Sequence, residues 1–85
     1  MNDSEKIKTE IRQFILKTSY VSEDMLDNDT LIFAQGIMDS MGFMSLVSFL
    51  DEHYRIKVND TELIESNFES VDAIGNYLIN KINSN

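Results

Sequence analysis

Residues 36–54 read Gly36-Ile37-Met38-Asp39-Ser40-Met41-Gly42-Phe43-Met44-Ser45-Leu46-Val47-Ser48-Phe49-Leu50-Asp51-Glu52-His53-Tyr54, a glycine-containing loop running into an amphipathic helix. Apolar residues Phe43, Leu46, Val47, Leu50 and Tyr54 fall on one side of a helix from Ser40 to about Tyr54, and that side is expected in the core. The opposite arc carries Met41, Ser45, Ser48, Phe49 and Glu52, so two large apolar groups are expected among polar ones in solvent. Asp39 suits the N-cap, its carboxylate accepting the N–H of residue 41 or 42. Ser40 offers one hydroxyl at the helix start, where unpaired N–H groups and the positive dipole end favour a covalently attached phosphate. Gly42 costs about 1 kcal/mol in a helix relative to Ala. Room for a partner, or for an attached group lying along the helix, is the reason expected for it.

Outward from this stretch, helical spacing continues. The chain of 85 residues has no proline, three glycines and 42% hydrophobic residues, and the pattern is that of an all-α domain with four helices. Helix one is expected from Asn2 or Asp3 to about Thr18, with Ile7, Ile11, Phe14 and Ile15 as its buried stripe. From Ser19 to Asp39 the period breaks into a long loop, with Asp27-Asn28-Asp29-Thr30 as a turn before the apolar cluster Leu31, Ile32 and Phe33. Beyond helix two, Ile56 and Val58 alternate with Arg55 and Lys57, and Asn59 with Glu62 forms a capping box for a short third helix through about Glu65. Phe68 is expected to plug the core after it. The last helix should start near Ser70, with Asp72 in its first turn and Val71, Ile74, Leu78 and Ile82 buried. Gly75 lies on the same stripe, where another helix can approach closely. One domain spanning residues 1–85, with a core of about 3–82, is expected.

A formal net charge of −8, from 15 acidic and 7 basic side chains, repels polyphosphate backbones and anionic headgroups, which argues against nucleic acid and membrane surfaces as partners. Lys6, Lys8, Arg12 and Lys17 sit on helix one, whereas the interval from Thr18 to Tyr54 holds seven acids and no Lys or Arg. That electronegative middle suits a basic patch on another protein. The chain has no cysteine, so any thiol chemistry must be imported. With no signal-like or membrane-spanning apolar run, the cytoplasm is the expected compartment and a monomer the expected state.

Catalytic arrangements are not encoded. The single histidine, His53, lies about 20 Å along the helix from Ser40 at 1.5 Å per residue, too far for a nucleophile–base pair. Asp27-Asn28-Asp29 fails the EF-hand pattern, because Leu31 and Ile32 occupy positions that need an oxygen ligand and a glycine, and Met38 replaces the closing Glu. No metal site is expected. Gly36 and Gly42 are not spaced as a nucleotide loop requires.

Gly36-Ile37-Met38-Asp39-Ser40-Met41-Gly42, together with Ser45-Leu46-Val47, Phe49-Leu50-Asp51-Glu52, Ile56-Lys57-Val58 and Asn67-Phe68-Glu69-Ser70-Val71, resembles the acyl carrier protein family, the phosphopantetheine-binding carriers. The likeness covers nearly the whole chain. It implies an acyl-carrier-like four-helix bundle and no catalytic activity. It also implies 4′-phosphopantetheine attached to Ser40 by a phosphopantetheinyl transferase, with Asp39 meeting that enzyme and its magnesium. Asp39 and Gly42 complete the expected cofactor site, and Met41, Met44, Ser45, Phe49, Glu52, Glu62 and Glu65 form the expected partner face.

Carriers of bacterial fatty acid synthesis usually follow the modified serine with Leu and place acids two and five residues beyond it. Met41, Gly42 and Ser45 stand there in this chain, which is more similar to D-alanyl and stand-alone aminoacyl carriers. Asp60, Glu62, Glu65 and Glu69 around helix three are expected to take over electrostatic docking. An AMP-forming ligase would load the arm, and an acyltransferase or condensing enzyme would unload it. The rival reading is a cofactor-free acidic helical adaptor.

Overall fold

The computed structural model describes residues 3–84. Among them four helices occur in the order α1 (Asp3–Thr18), α2 (Ser40–Tyr54), α3 (Glu65–Phe68) and α4 (Val71–Asn83). Single 3-10 turns lie at Glu23–Met25 and Asp60–Glu62. Asn2, the alternative start of the first helix, lies outside the described residues.

The stripes of α1 and α4 meet because both repeat at helical spacing, Ile7, Ile11 and Ile15 facing Ile74 and Leu78 in one buried cluster. Close approach depends on Gly75, where a Cβ would stand 3.0 Å from Lys8 Cγ. Lys8 Nζ then reaches Asp72 Oδ1 at 3.0 Å, tying α1 to the first turn of α4. Ser70 caps α4 by accepting the Ala73 N–H at 3.1 Å. Two expected stripe members differ. Phe14 is only half-buried, stacked on Phe49, and Ile82 is exposed because it borders an open cavity between the end of α4, the start of α1 and the end of α2.

On α2, Leu46 and Leu50 are fully buried, while Phe43, Val47 and Tyr54 are half-buried around them. The 19–39 loop is held at several points from Leu26 to Met38. Leu26, Ile32 and Met38 enter the core, Ile32 N–H donates to Glu69 O at 2.9 Å, and Asp72 N–H donates to Asn28 O at 2.9 Å. The expected Asp27–Thr30 turn forms, Thr30 Oγ1 accepting the Asp27 N–H at 2.8 Å.

The third helix lies later than expected. Asn59 and Glu62 do meet, Asn59 N–H donating to Glu62 Oε1 at 3.0 Å, but the helical path stops after one 3-10 turn. Ile64 is extended (φ −118°, ψ 147°), and α3 begins at Glu65. Two long-range anchors impose the break: Lys81 Nζ grips the Glu62 carboxylate at 2.8 and 3.0 Å, and Phe68, the last residue of α3 and not a plug beyond it, is fully buried.

Candidate functional site

The start of α2 is built by Asp39 and Met38. Asp39 has extended backbone (φ −104°, ψ −172°), and its Oδ1 accepts the Gly42 N–H at 2.8 Å. Asp39 O also accepts the Phe43 N–H at 2.9 Å, the first turn of the helix. Met38, 7% exposed, anchors the loop immediately behind. Ser40, the first residue of α2, is exposed together with Asp39.

Gly42 has a reason internal to the chain. A Cβ there would stand 3.2 Å from Met38 Cγ, tighter than ordinary contact, and in ordinary contact with Asp39 Oδ1 at 3.4 Å, so the missing side chain lets Met38 pack closely behind the helix end. The space expected beside Gly42 for a partner or attached group is, on that side, filled by Met38 and Asp39. Gly42 does border a groove of about 340 Å³ that runs toward the end of α1.

Across the outer face of α2, Met41 is 79% and Met44 56% exposed, and Ser45, Ser48 and Glu52 are exposed beside them. The 19–39 loop leaves Met41 uncovered. Phe49 departs from the expectation of solvent exposure. It lies about 80° round the helix from Met41 at 100° per residue, at the margin facing α1, where it stacks on Phe14 with centroids 4.5 Å apart and on His53 at 5.0 Å. His53 Nε2 approaches Glu10 Oε1 at 3.4 Å, and the same oxygen accepts the Tyr54 hydroxyl at 2.6 Å. Burial, then that bond to Glu10, pushes the Tyr54 phenol well above its usual range. His53 thus belongs to a clasp between α1 and the far end of α2.

Glu62 is also an internal group. Lys81, the Asn59 N–H and the Tyr77 hydroxyl (2.9 Å) surround its carboxylate and hold it down to about 2, with Lys81 the largest cause. Glu65 and Asp60 are exposed, and Glu69 is half-buried. Exposed Ile64, Tyr20 and Met25 escaped sequence reading, and Leu31, read within an apolar cluster, is exposed while its neighbour Ile32 is buried, because the loops that carry them have no period from which a face can be read.

Between α2 and α3 a cleft of about 200 Å³ is lined by Phe33, Phe43, Leu63, Ile64 and Glu65. Its floor is aromatic: Phe43 meets Phe33 and Phe68 edge-on, at 5.6 and 5.3 Å. Among the described residues no group of three His, Cys, Asp or Glu could hold a metal ion, and no helix is long and apolar enough to cross a membrane.

An exposed hydroxyl on the first residue of a capped 15-residue helix, in a four-helix domain, is open to covalent attachment of a group. Residues 9–78 match the family described as "Phosphopantetheine attachment site", and the chain belongs to that family. Comparison with curated proteins gives no match. The family's domains are carriers, not catalysts, and hold 4′-phosphopantetheine covalently on a serine. They work with a phosphopantetheinyl transferase and with biosynthetic enzymes.

Proposed function

We propose that Ser40 is the attachment residue and that the chain holds an acyl or aminoacyl group as a thioester, presenting it to successive enzymes. The observation that carries this is the exposure of Ser40 at the Asp39-capped start of α2. The residues fit the group. A phosphodiester there lies against the unpaired N–H groups of the first turn, a placement worth about 0.3–1 kcal/mol. The arm supplies the thiol that the sequence lacks. Asp39 adds an exposed carboxylate one residue away, suited to meeting the modifying enzyme and its magnesium.

The outer face of α2 supports a D-alanyl or aminoacyl carrier loaded by an AMP-forming ligase and unloaded by an acyltransferase or condensing enzyme, in the cytoplasm. Met41 and Met44 lie three residues apart on one helix face, with Ser45 beside them and Glu52 three turns on. Apolar anchors therefore replace a strip of acids. Phe49 and Glu62 serve that face indirectly, by fixing α2 against α1 and the α2–α3 segment against α4, while Glu65 and Asp60 supply charge.

Incubation with coenzyme A and a broad-specificity phosphopantetheinyl transferase tests the assignment by intact mass. One added phosphopantetheine, absent in Ser40→Ala, is the expected result. An unmodified protein, or modification that survives Ser40→Ala, overturns it, and the former outcome is that of a cofactor-free adaptor.

A further inference from the structure

We propose that the arm rests in the groove on the loop side of α2 and not in the cleft between α2 and α3; this rests on Ser40 being the attachment residue. Two openings flank the start of α2. The loop-side groove, about 340 Å³, touches Asp39, immediately before Ser40, and Gly42, two residues after it. The α2–α3 cleft begins only at Phe43, measures about 200 Å³, and is closed below by the edge-on rings of Phe33, Phe43 and Phe68.

The linings differ in the same sense. A pantetheine chain is neutral and carries two amides, which lose stability when buried without hydrogen-bond partners. Thr18 and Ser19 border the loop-side groove. Their hydroxyls donate to Phe14 O at 2.9 Å and Ile15 O at 2.6 Å, which leaves their oxygens able to accept. The cleft offers four apolar side chains and one carboxylate.

Continuity adds a third argument. Val21, Gly36 and Ile37 border the loop-side groove and also an adjoining cavity of about 430 Å³ that reaches Met25 and Leu31. The two spaces therefore adjoin along one track, from beside the attachment point to an end where Met25 and Leu31 stand among Asp29, Thr30 and Gln35. Gly36 borders both spaces, its φ is +72°, and a Cβ there would meet nothing within 4 Å, so a side chain at the crossing has room. Asn tolerates that left-handed backbone, so Gly36→Asn narrows the track while leaving the fold and Ser40 in place.

Amide chemical shifts of the ¹⁵N-labelled protein, compared before and after transferase modification confirmed by mass, test the proposal. Changes at Val21, Gly36 and Ile37 exceeding those at Leu63, Ile64 and Glu65 are expected. Changes confined to residues 39–42, or larger at 63–65, overturn it while leaving the carrier assignment intact. Failure to gain mass overturns both. The modified protein has a single thiol, on the arm, since the chain has no cysteine. With about two thirds of the arms docked, a bulky thiol reagent should react about threefold faster with modified Gly36→Asn than with the modified parent. Equal rates overturn the proposal.

Discussion

Asp39 Oδ1 accepts the N–H of Gly42 at 2.8 Å, a bond that spans Ser40 and sets the serine at the first position of α2. The same carboxylate is exposed and one residue from the proposed attachment point, so capping and enzyme recognition must be separated by substitution. Asn caps as well as Asp, whereas Ala costs about 1 kcal/mol. Asp39→Asn should keep the melting temperature within about 2 °C, and Asp39→Ala should lower it by about 4–8 °C. Modification by the transferase should slow at least about tenfold in both, a loss of about 1.4 kcal/mol. Full-rate modification of Asp39→Asn would confine Asp39 to capping.

Met41 and Phe49 occupy one helix and should respond oppositely. Truncating exposed Met41 (79% exposed) should change stability by no more than about 0.5 kcal/mol while weakening loading by a partner ligase. Phe49→Ala removes the ring that stacks on Phe14 and His53 and should cost about 1–3 kcal/mol, less than a fully buried Phe. Urea unfolding together with ligase kinetics separates the two effects.

Glu62 makes the domain sensitive to acid. Its folded value, about 2, lies below the ordinary 4.5 because Lys81, the Asn59 N–H and Tyr77 favour the carboxylate. The folded state thus binds the proton less readily than the unfolded chain, and the stability this contributes is complete above about pH 4.5 and lost as pH falls through about 2. Glu62→Gln should flatten the fall in stability across that window. An unchanged slope in denaturant titrations at successive pH values would exclude Glu62 as the source.

Gly75 tests the α1–α4 contact. Gly75→Ala gains about 1 kcal/mol of helix propensity but presses the Lys8 stem, 3.0 Å away, and loosens a partly exposed ion pair to Asp72 worth about 0–1 kcal/mol. The terms nearly cancel, and the melting temperature should stay within about 4 °C. Gly75→Leu cannot be absorbed by a lysine stem, forces α1 from α4, and should cost about 1–3 kcal/mol.

Much of this architecture was legible because its causes are local. The period of Ile7, Ile11 and Ile15, the cap offered by Asp39 and the cap offered by Ser70 each act within a few residues, so the bounds of α1, α2 and α4 follow from neighbours in the chain. The attachment motif is likewise contiguous, and the same stretch that starts α2 carries Ser40.

Contacts between distant residues decided the rest. Glu62 is claimed by Lys81, 19 residues on, which ends the 3-10 turn early and moves α3 to Glu65–Phe68. Phe49 turns inward because Phe14 of α1 lies there, and Tyr54 is tied to Glu10, 44 residues before it. Ile82 continues a perfect stripe yet stays exposed, since an open cavity separates it there from the start of α1 and the end of α2. Periodicity names the face of a helix that can be buried; only the packed chain supplies the surface that buries it, and with it the grooves on either side of Ser40.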